Sequence, residues 1–175
     1  YINKLNNNNI FFDDNPYLGK RYTDEEVSKI VETNKYVLKN KNIVIQKFEN
    51  KDLLYSKIAK ELIKNKIVGF FNGRMEFGSR ALGNRSILAN PAEKNIRDII
   101  NAKIKRRESF RHFAPSILEE HVGDWFEKTD KVPFMSMVHK IKHDKRKIIP
   151  SITHIDGTGR LQSVSLKSNP DFYLL

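Results

Sequence analysis

Three stretches of this sequence hold the residue types that anion chemistry needs. The first runs from Gly73 to Ser86, GRMEFGSRALGNRS, and sets Arg74, Arg80 and Arg85 among three glycines. Glycine lets a backbone approach a ligand closely and adopt positive φ. Guanidinium groups offer planar donor forks that match phosphate or carboxylate oxygens. A loop of this kind after a strand can aim both N–H groups and guanidinium groups at one anion. Glu76, in its midst, is expected to orient one of the arginines through a bidentate pair. The plainer reading is a glycine-rich turn with surface arginines.

The second stretch, KIKRRESFRHFAP from Lys103 to Pro115, places Lys103, Lys105, Arg106, Arg107 and Arg111 within nine residues. Such a run suits a phosphate or a nucleic-acid backbone, and it also complements the dipole at a helix C-terminus. Phe110 and Phe113 could stack on bases, but beside Ala114-Pro115 they read as core. The third stretch, SITHIDGTGRLQSV from Ser151 to Val164, reads as a hairpin turning at Asp156-Gly157-Thr158-Gly159. One face would carry Ile152, Ile155, Leu161 and Val164. The polar set His154, Asp156, Thr158, Arg160 and Gln162 would crowd at one end and suit a phosphorylated ligand.

Other chemistries are excluded or unsupported. There is no cysteine, so no disulfide and no thiolate-ligated metal. The histidines at 112, 121, 139, 143 and 154 show no metal-ligand spacing. No P-loop, dinucleotide fingerprint or nucleophile elbow is present. No apolar run approaches the roughly 20 residues of a spanning helix, and the N-terminus lacks the apolar stretch of a signal peptide. A cytoplasmic location is the default expectation. The chain starts at Tyr1, which favours a fragment or a processed chain.

The charge balance is strongly basic: 32 Lys+Arg against 21 Asp+Glu give a net charge of +11. Lysine outnumbers arginine 22 to 10, and Asn (17) and Ile (19) are abundant too, the pattern of an AT-rich coding sequence. Much of the lysine is therefore read as solvated surface, and the arginines as the informative part.

The elements that must position these residues alternate in type, an α/β pattern. Thr23 with Glu26 makes a capping box opening a helix to about Asn40. Ile43–Phe48 reads as a strand, Lys51–Asn65 as a helix with a solvated lysine face, and Ile67–Phe71 as a buried strand. Ser86–Ala89 reads as a strand, Glu93–Lys105 as a helix, and Phe110–Leu118 as extended. A short helix over Glu119–Glu127 and a strand over Phe134–Ile141 follow. Residues 1–20, with an Asn run at Asn6–Asn9 and the Pro16–Gly19 punctuation, read as a connector.

Taken together and in order, these three stretches and the run PFMSMV (Pro133–Val138) resemble the C-terminal domain of the O-carbamoyltransferases. That family carbamoylates hydroxyl groups of nodulation factors, cephem antibiotics and aminoglycosides. The likeness runs from about Tyr17 to Leu175. It implies a YrdC-like α/β fold, a twisted mixed sheet with packed helices. It also implies that residues 21–175 are the C-terminal domain, and residues 1–20 the connector from a larger N-terminal domain that binds iron and the acceptor. The domain would bind carbamoyl phosphate and MgATP and form carbamoyl adenylate, which the N-terminal domain then uses. By motif, Arg80 is implied to bind carbamoyl phosphate. Lys105 and Arg111 are the implied catalytic contacts to the carbamoyl and nucleotide phosphates, and Arg160 completes the cup. Arg74, Arg85, Arg107, His154 and Thr158 are its implied neighbours.

The sequence departs from the family at Ser79 and His112, where proline is usual, and at Gly159, where a larger residue is usual. Family members also continue past Leu175 into a helix and an Asn-, Thr- and Ser-bearing strand, so the domain is expected to be incomplete at its C-terminus and to lack part of its nucleotide site. The alternative from a different class is a basic RNA-binding module without catalysis.

Overall fold

A computed structural model describes residues 15–175. The Asn run and the rest of residues 1–14 lie outside the described residues. Helix α1, Asp24–Thr33, opens with the expected capping box: Thr23 Oγ1 accepts from the Glu26 N–H and the Glu26 carboxylate accepts from the Thr23 N–H. Asn34 separates it from α2, Lys35–Asn40, so the single expected helix is two. Neither buries a residue; Val27, Ile30 and Val37 remain exposed. Ile43–Phe48 forms no strand, and Val44 is 90% exposed. β-branched composition alone does not make a strand when no partner edge supplies hydrogen bonds.

Helix α3, Lys51–Ile63, is capped by the Asn50 side chain and buries Tyr55. Its lysines are solvated, and Lys57 and Lys64 pair with Glu61 on the surface. Strand β1, Val68–Phe71, pairs antiparallel with β2, Arg85–Leu88. Only Phe70 of β1 is buried, so this is a half-covered strand and not the buried one expected. The expected long helix after β2 is a short α4, Ile96–Ile99, running into a π-helical turn, Ile100–Lys105. That turn ends at Arg106 in the left-handed region, φ 50°.

The remaining elements are short. Strand β3, Ser116–Leu118, is followed by a 3-10 turn, Glu119–His121, and α5, Val122–Trp125. Strand β4 is Val138–Lys140, β5 is Thr158–Arg160, β6 is Gln162–Val164, and α6, Pro170–Leu174, ends the chain. The expected hairpin in the third stretch is not there. Strand β5 pairs antiparallel with β4, while β6 pairs parallel with β3. The chain changes partners at Leu161, whose side chain is fully buried. The two arms expected around Asp156–Gly159 do not pair: residues 151–155 form no strand, and β5 takes up Thr158 and Gly159 of the turn itself. Likewise, the mixed sheet implied by the family likeness appears among the described residues as three two-stranded pairings. The architecture is mixed α/β.

The core sits in the C-terminal half. Val122, Phe126, Val132, Ile141, Ile149, Ile152 and Leu161 form one buried cluster, with Phe113, Ile117 and Trp125 packed against it. Of the face expected on the third stretch, Ile152, Leu161 and Val164 are buried and Ile155 is fully exposed. Phe110, expected in the core beside Phe113, is 71% exposed.

Candidate functional site

The loop between β1 and β2 is built around a carboxylate. Glu76 Oε1 accepts from the backbone N–H groups of Leu82, Asn84 and Arg85 at 2.8, 2.7 and 3.0 Å. Burial works to raise its pKa, but these N–H donors outweigh burial and hold it below the usual carboxylate value. Glu76 thus folds the loop and does not orient an arginine, as was expected. Arg85 is also turned inward. Its guanidinium donates to the carbonyls of Asn72, Asn84, Gly73 and Lys20 and lies 3.6 Å over the Phe71 ring. Arg74 donates to the Gly19 carbonyl. The 15–20 segment is docked here: Gly19 donates to Met75, Met75 to Lys20, and Tyr17 Oη to the Leu82 carbonyl. With Glu76 below and Arg74 and Arg85 occupied, the exposed tip holding Arg80 is left as the outward cation.

The C-terminal helix closes the other side of this loop. Asn169 caps α6 through its side-chain oxygen, and its amide donates to Asn84 Oδ1 at 2.9 Å in a buried contact. A Cβ on Gly83, which has φ 109°, would stand 2.3 Å from the Phe172 ring. Glycine is required there on both conformational and steric grounds.

The second stretch is organised by Asn101, which is fully buried. Its amide donates to the carbonyls of Ser109 and Arg111, and its side-chain oxygen accepts from Arg107 Nε at 2.8 Å. Its carbonyl accepts from the Arg107 N–H. The π-helical turn and left-handed Arg106 bring Arg107 back over this hub, with its guanidinium 4.8 Å over the Phe113 ring. Arg107 is therefore held at Nε.

In the third stretch, Asp156 Oδ1 accepts from both the N–H and the hydroxyl of Thr158, at 3.0 and 2.7 Å. With its one hydroxyl hydrogen directed at Asp156, the Thr158 oxygen accepts from His154 Nδ1 at 3.0 Å. His154 is thereby set as its Nδ1–H tautomer. Gln162 ties all three stretches together: its amide donates to the Leu82 carbonyl at 2.8 Å, and its oxygen accepts from Ser116 Oγ at 3.1 Å.

Arg160 lies where the stretches meet. Its Nε is buried without a hydrogen-bond partner among the described residues. Desolvation, and then the nearby guanidinium groups of Arg80 and Arg107, push its pKa below the ordinary arginine value. None of the three arginines forms an ion pair with a carboxylate among the described residues. Three like charges held together, one with a buried unsatisfied donor, destabilise the free protein and favour a polyanion. Beside them the His112 and His154 rings lie 4.3 Å apart.

Of the residues singled out from sequence, Arg80, Arg107 and Arg160 come together, with His154 and Thr158 next to them. Lys105 is exposed at the end of the π-helical turn and makes no side-chain hydrogen bond or ion pair among the described residues. Arg111 is exposed and pairs with Glu108 at 2.8 Å. Arg74 and Arg85 support the loop. Sequence reasoning missed Asn101 and the pairing of His112 with His154. A lone amide inside the isoleucine run Ile96–Ile104 was the available signal for Asn101. The histidine pairing had none, since 42 residues separate the two positions in sequence.

The Carbamoyltransferase C-terminus family matches residues 59–175. The nodulation protein NolO of Bradyrhizobium diazoefficiens is 45% identical over 71% of the chain, which spans 23% of that protein. Uncharacterized proteins of Methanocaldococcus jannaschii and Synechocystis are 43% and 37% identical over 91% of the chain, covering 26% and 28% of their own lengths. The chain thus spans about a quarter of the length of these relatives. The family match includes all three arginine-bearing stretches, and on it the chain belongs to the carbamoyltransferase C-terminus family.

Proposed function

We propose that this chain is the activating part of an O-carbamoyltransferase. In this reading it binds carbamoyl phosphate and MgATP and forms carbamoyl adenylate. A separate N-terminal domain of a longer protein then uses that adenylate to carbamoylate a hydroxyl group. With one water, carbamoyl phosphate and ATP give carbamoyl adenylate, orthophosphate and pyrophosphate, so the site must accept several phosphate groups. The observation that carries the reading is that Arg80 and Arg107 lie close enough to Arg160 to act on its charge, that none of the three is ion-paired with a carboxylate among the described residues, and that Arg160 Nε is buried there without a hydrogen-bond partner. Fixed guanidinium groups stabilise charge building on phosphoryl oxygens without reorganising. Lys105 and Arg111 stand on the same stretch as Arg107 and are the further basic groups the family likeness assigns to the ligands. The exposed pair of Arg111 with Glu108 is weak enough to exchange for a phosphate. In this reading magnesium arrives on the nucleotide.

Thermal unfolding tests this. Carbamoyl phosphate or MgATP should raise the melting temperature, with about 2.7 kcal/mol of stabilisation at a hundredfold excess over Kd. The shift should vanish in Arg80→Ala and Arg160→Ala. No shift at millimolar ligand, together with salt-dependent RNA binding, would replace this reading with that of an RNA-binding module.

A further inference from the structure

The tilted ring pair of His112 and His154 has unusual surroundings. The ring centroids are 4.3 Å apart with 43° between the planes. His112 Nδ1 is buried and has no hydrogen-bond partner among the described residues. His154 Nδ1–H is committed to Thr158, so its Nε2 carries an open lone pair. The charged groups facing the pair are Arg97 and Asp156 at His112, and Asp156 and Arg160 at His154. Asp156 is the one anion among these groups. Desolvation is the main cause that holds both imidazoles below their ordinary pKa; at His112 the neighbouring His154 and then Arg97 add to it, and at His154 Asp156 opposes it more than Arg160 adds to it. In the free protein the pair is therefore neutral at neutral pH. A doubly charged anion seated against Arg160 reverses the local field and favours an imidazolium.

We propose that His112 and His154 are a proton-taking element of the anion cup, capturing one proton from solvent when a phosphate-type dianion binds beside Arg160. The proton lodges on one imidazole nitrogen of the pair and no other bond changes. The inference rests on reading Arg80, Arg107 and Arg160 as the cup. Its sign follows from linkage: the free pair titrates below 6.5, and the bound pair titrates higher. Between those two values affinity rises as pH falls, by up to about tenfold per pH unit for one proton. Above the bound value it is flat.

Sulfate is the suitable probe, because it stays a dianion across this range, whereas a phosphate ester has a pKa of about 6. Calorimetric titration of the protein with sulfate, from about pH 5.5 to about pH 8, should show the affinity rising toward acid. Repeating it in buffers of different ionisation heat should show uptake approaching one proton. His112→Asn should keep the affinity at the alkaline end and lose the slope and the uptake. Ring-nitrogen NMR of the unmodified protein needs no variant, and should show a histidine titration moving to higher pH with sulfate. Sulfate binding that is independent of pH, a slope that survives in His112→Asn, or histidine titrations that sulfate does not move, would overturn the inference while leaving the cup intact. No sulfate binding at any pH, with Arg160→Ala indistinguishable from the parent, would remove the cup and the inference together.

Discussion

The Gln162 side-chain amide donates to the Leu82 carbonyl at 2.8 Å, across 80 residues of sequence, while its oxygen accepts from Ser116. One buried amide therefore fixes the arginine loop, the end of the second stretch and the β5–β6 segment in mutual register. Gln162→Ala should destabilise the protein by about 1–3 kcal/mol, because Ser116 and Leu82 each lose a buried partner. Urea unfolding measures this. Because Arg160 and Arg80 would lose their common anchor, anion affinity should fall as well although neither arginine has changed.

Arg160 and Arg85 should respond in opposite ways. Removing Arg160 takes away a buried unsatisfied Nε and the repulsion with Arg80 and Arg107. Arg160→Leu should leave the free protein as stable as the parent or more so, and abolish ligand-induced stabilisation. Arg85→Ala strips donors from several backbone carbonyls and the stack on Phe71, and should cost about 2 kcal/mol or more. Arg85→Lys should not restore it, since one ammonium cannot reproduce the planar fork. Unfolding curves with and without ligand separate the two roles.

Glu76 makes stability depend on pH in a defined direction. Its folded pKa lies below the ordinary 4.5 because three N–H groups favour the carboxylate. Its contribution is therefore complete above the unfolded value and is lost as pH falls through the folded one. The stability gap between the parent and Glu76→Ala should be widest near neutral pH and should shrink below about pH 4. A gap that does not change with pH would show that packing, not charge, dominates at this position.

Gly83→Ala should destabilise the protein and loosen α6, because the new Cβ falls 2.3 Å from the Phe172 ring at a positive φ. Gly69→Ala is the control, since nothing stands within 4 Å of its Cβ. Hydrogen exchange of the α6 amides distinguishes the two: protection should drop in the first variant and hold in the second.

Local signals carried far in this sequence. The capping box at Thr23, the helix over Lys51–Ile63 and the strands flanking the glycine-rich loop follow from side chains within one or two turns of each other. Arg80, Arg107 and Arg160 could be picked out because residue type and motif mark them, and those survive any fold. Three things needed the tertiary structure. Ile43–Phe48 has strand composition but meets no partner edge. The turn at Asp156–Gly159 looks like a hairpin, yet its first arm forms no strand, and the chain beyond it pairs with β4 and then, past the buried Leu161, with β3. The roles of the arginines were also undecided, because a guanidinium that binds an anion and one that holds backbone carbonyls are the same residue in sequence. Glu76 and Asn101, through hydrogen bonds within their own loops, and Gln162, through one that spans 80 residues, settle which is which. The sequence by itself therefore determined the inventory of cations and the local elements, whose causes lie within a few residues. Only the tertiary structure decided which cations stand together without a counter-charge, since that depends on contacts tens of residues apart.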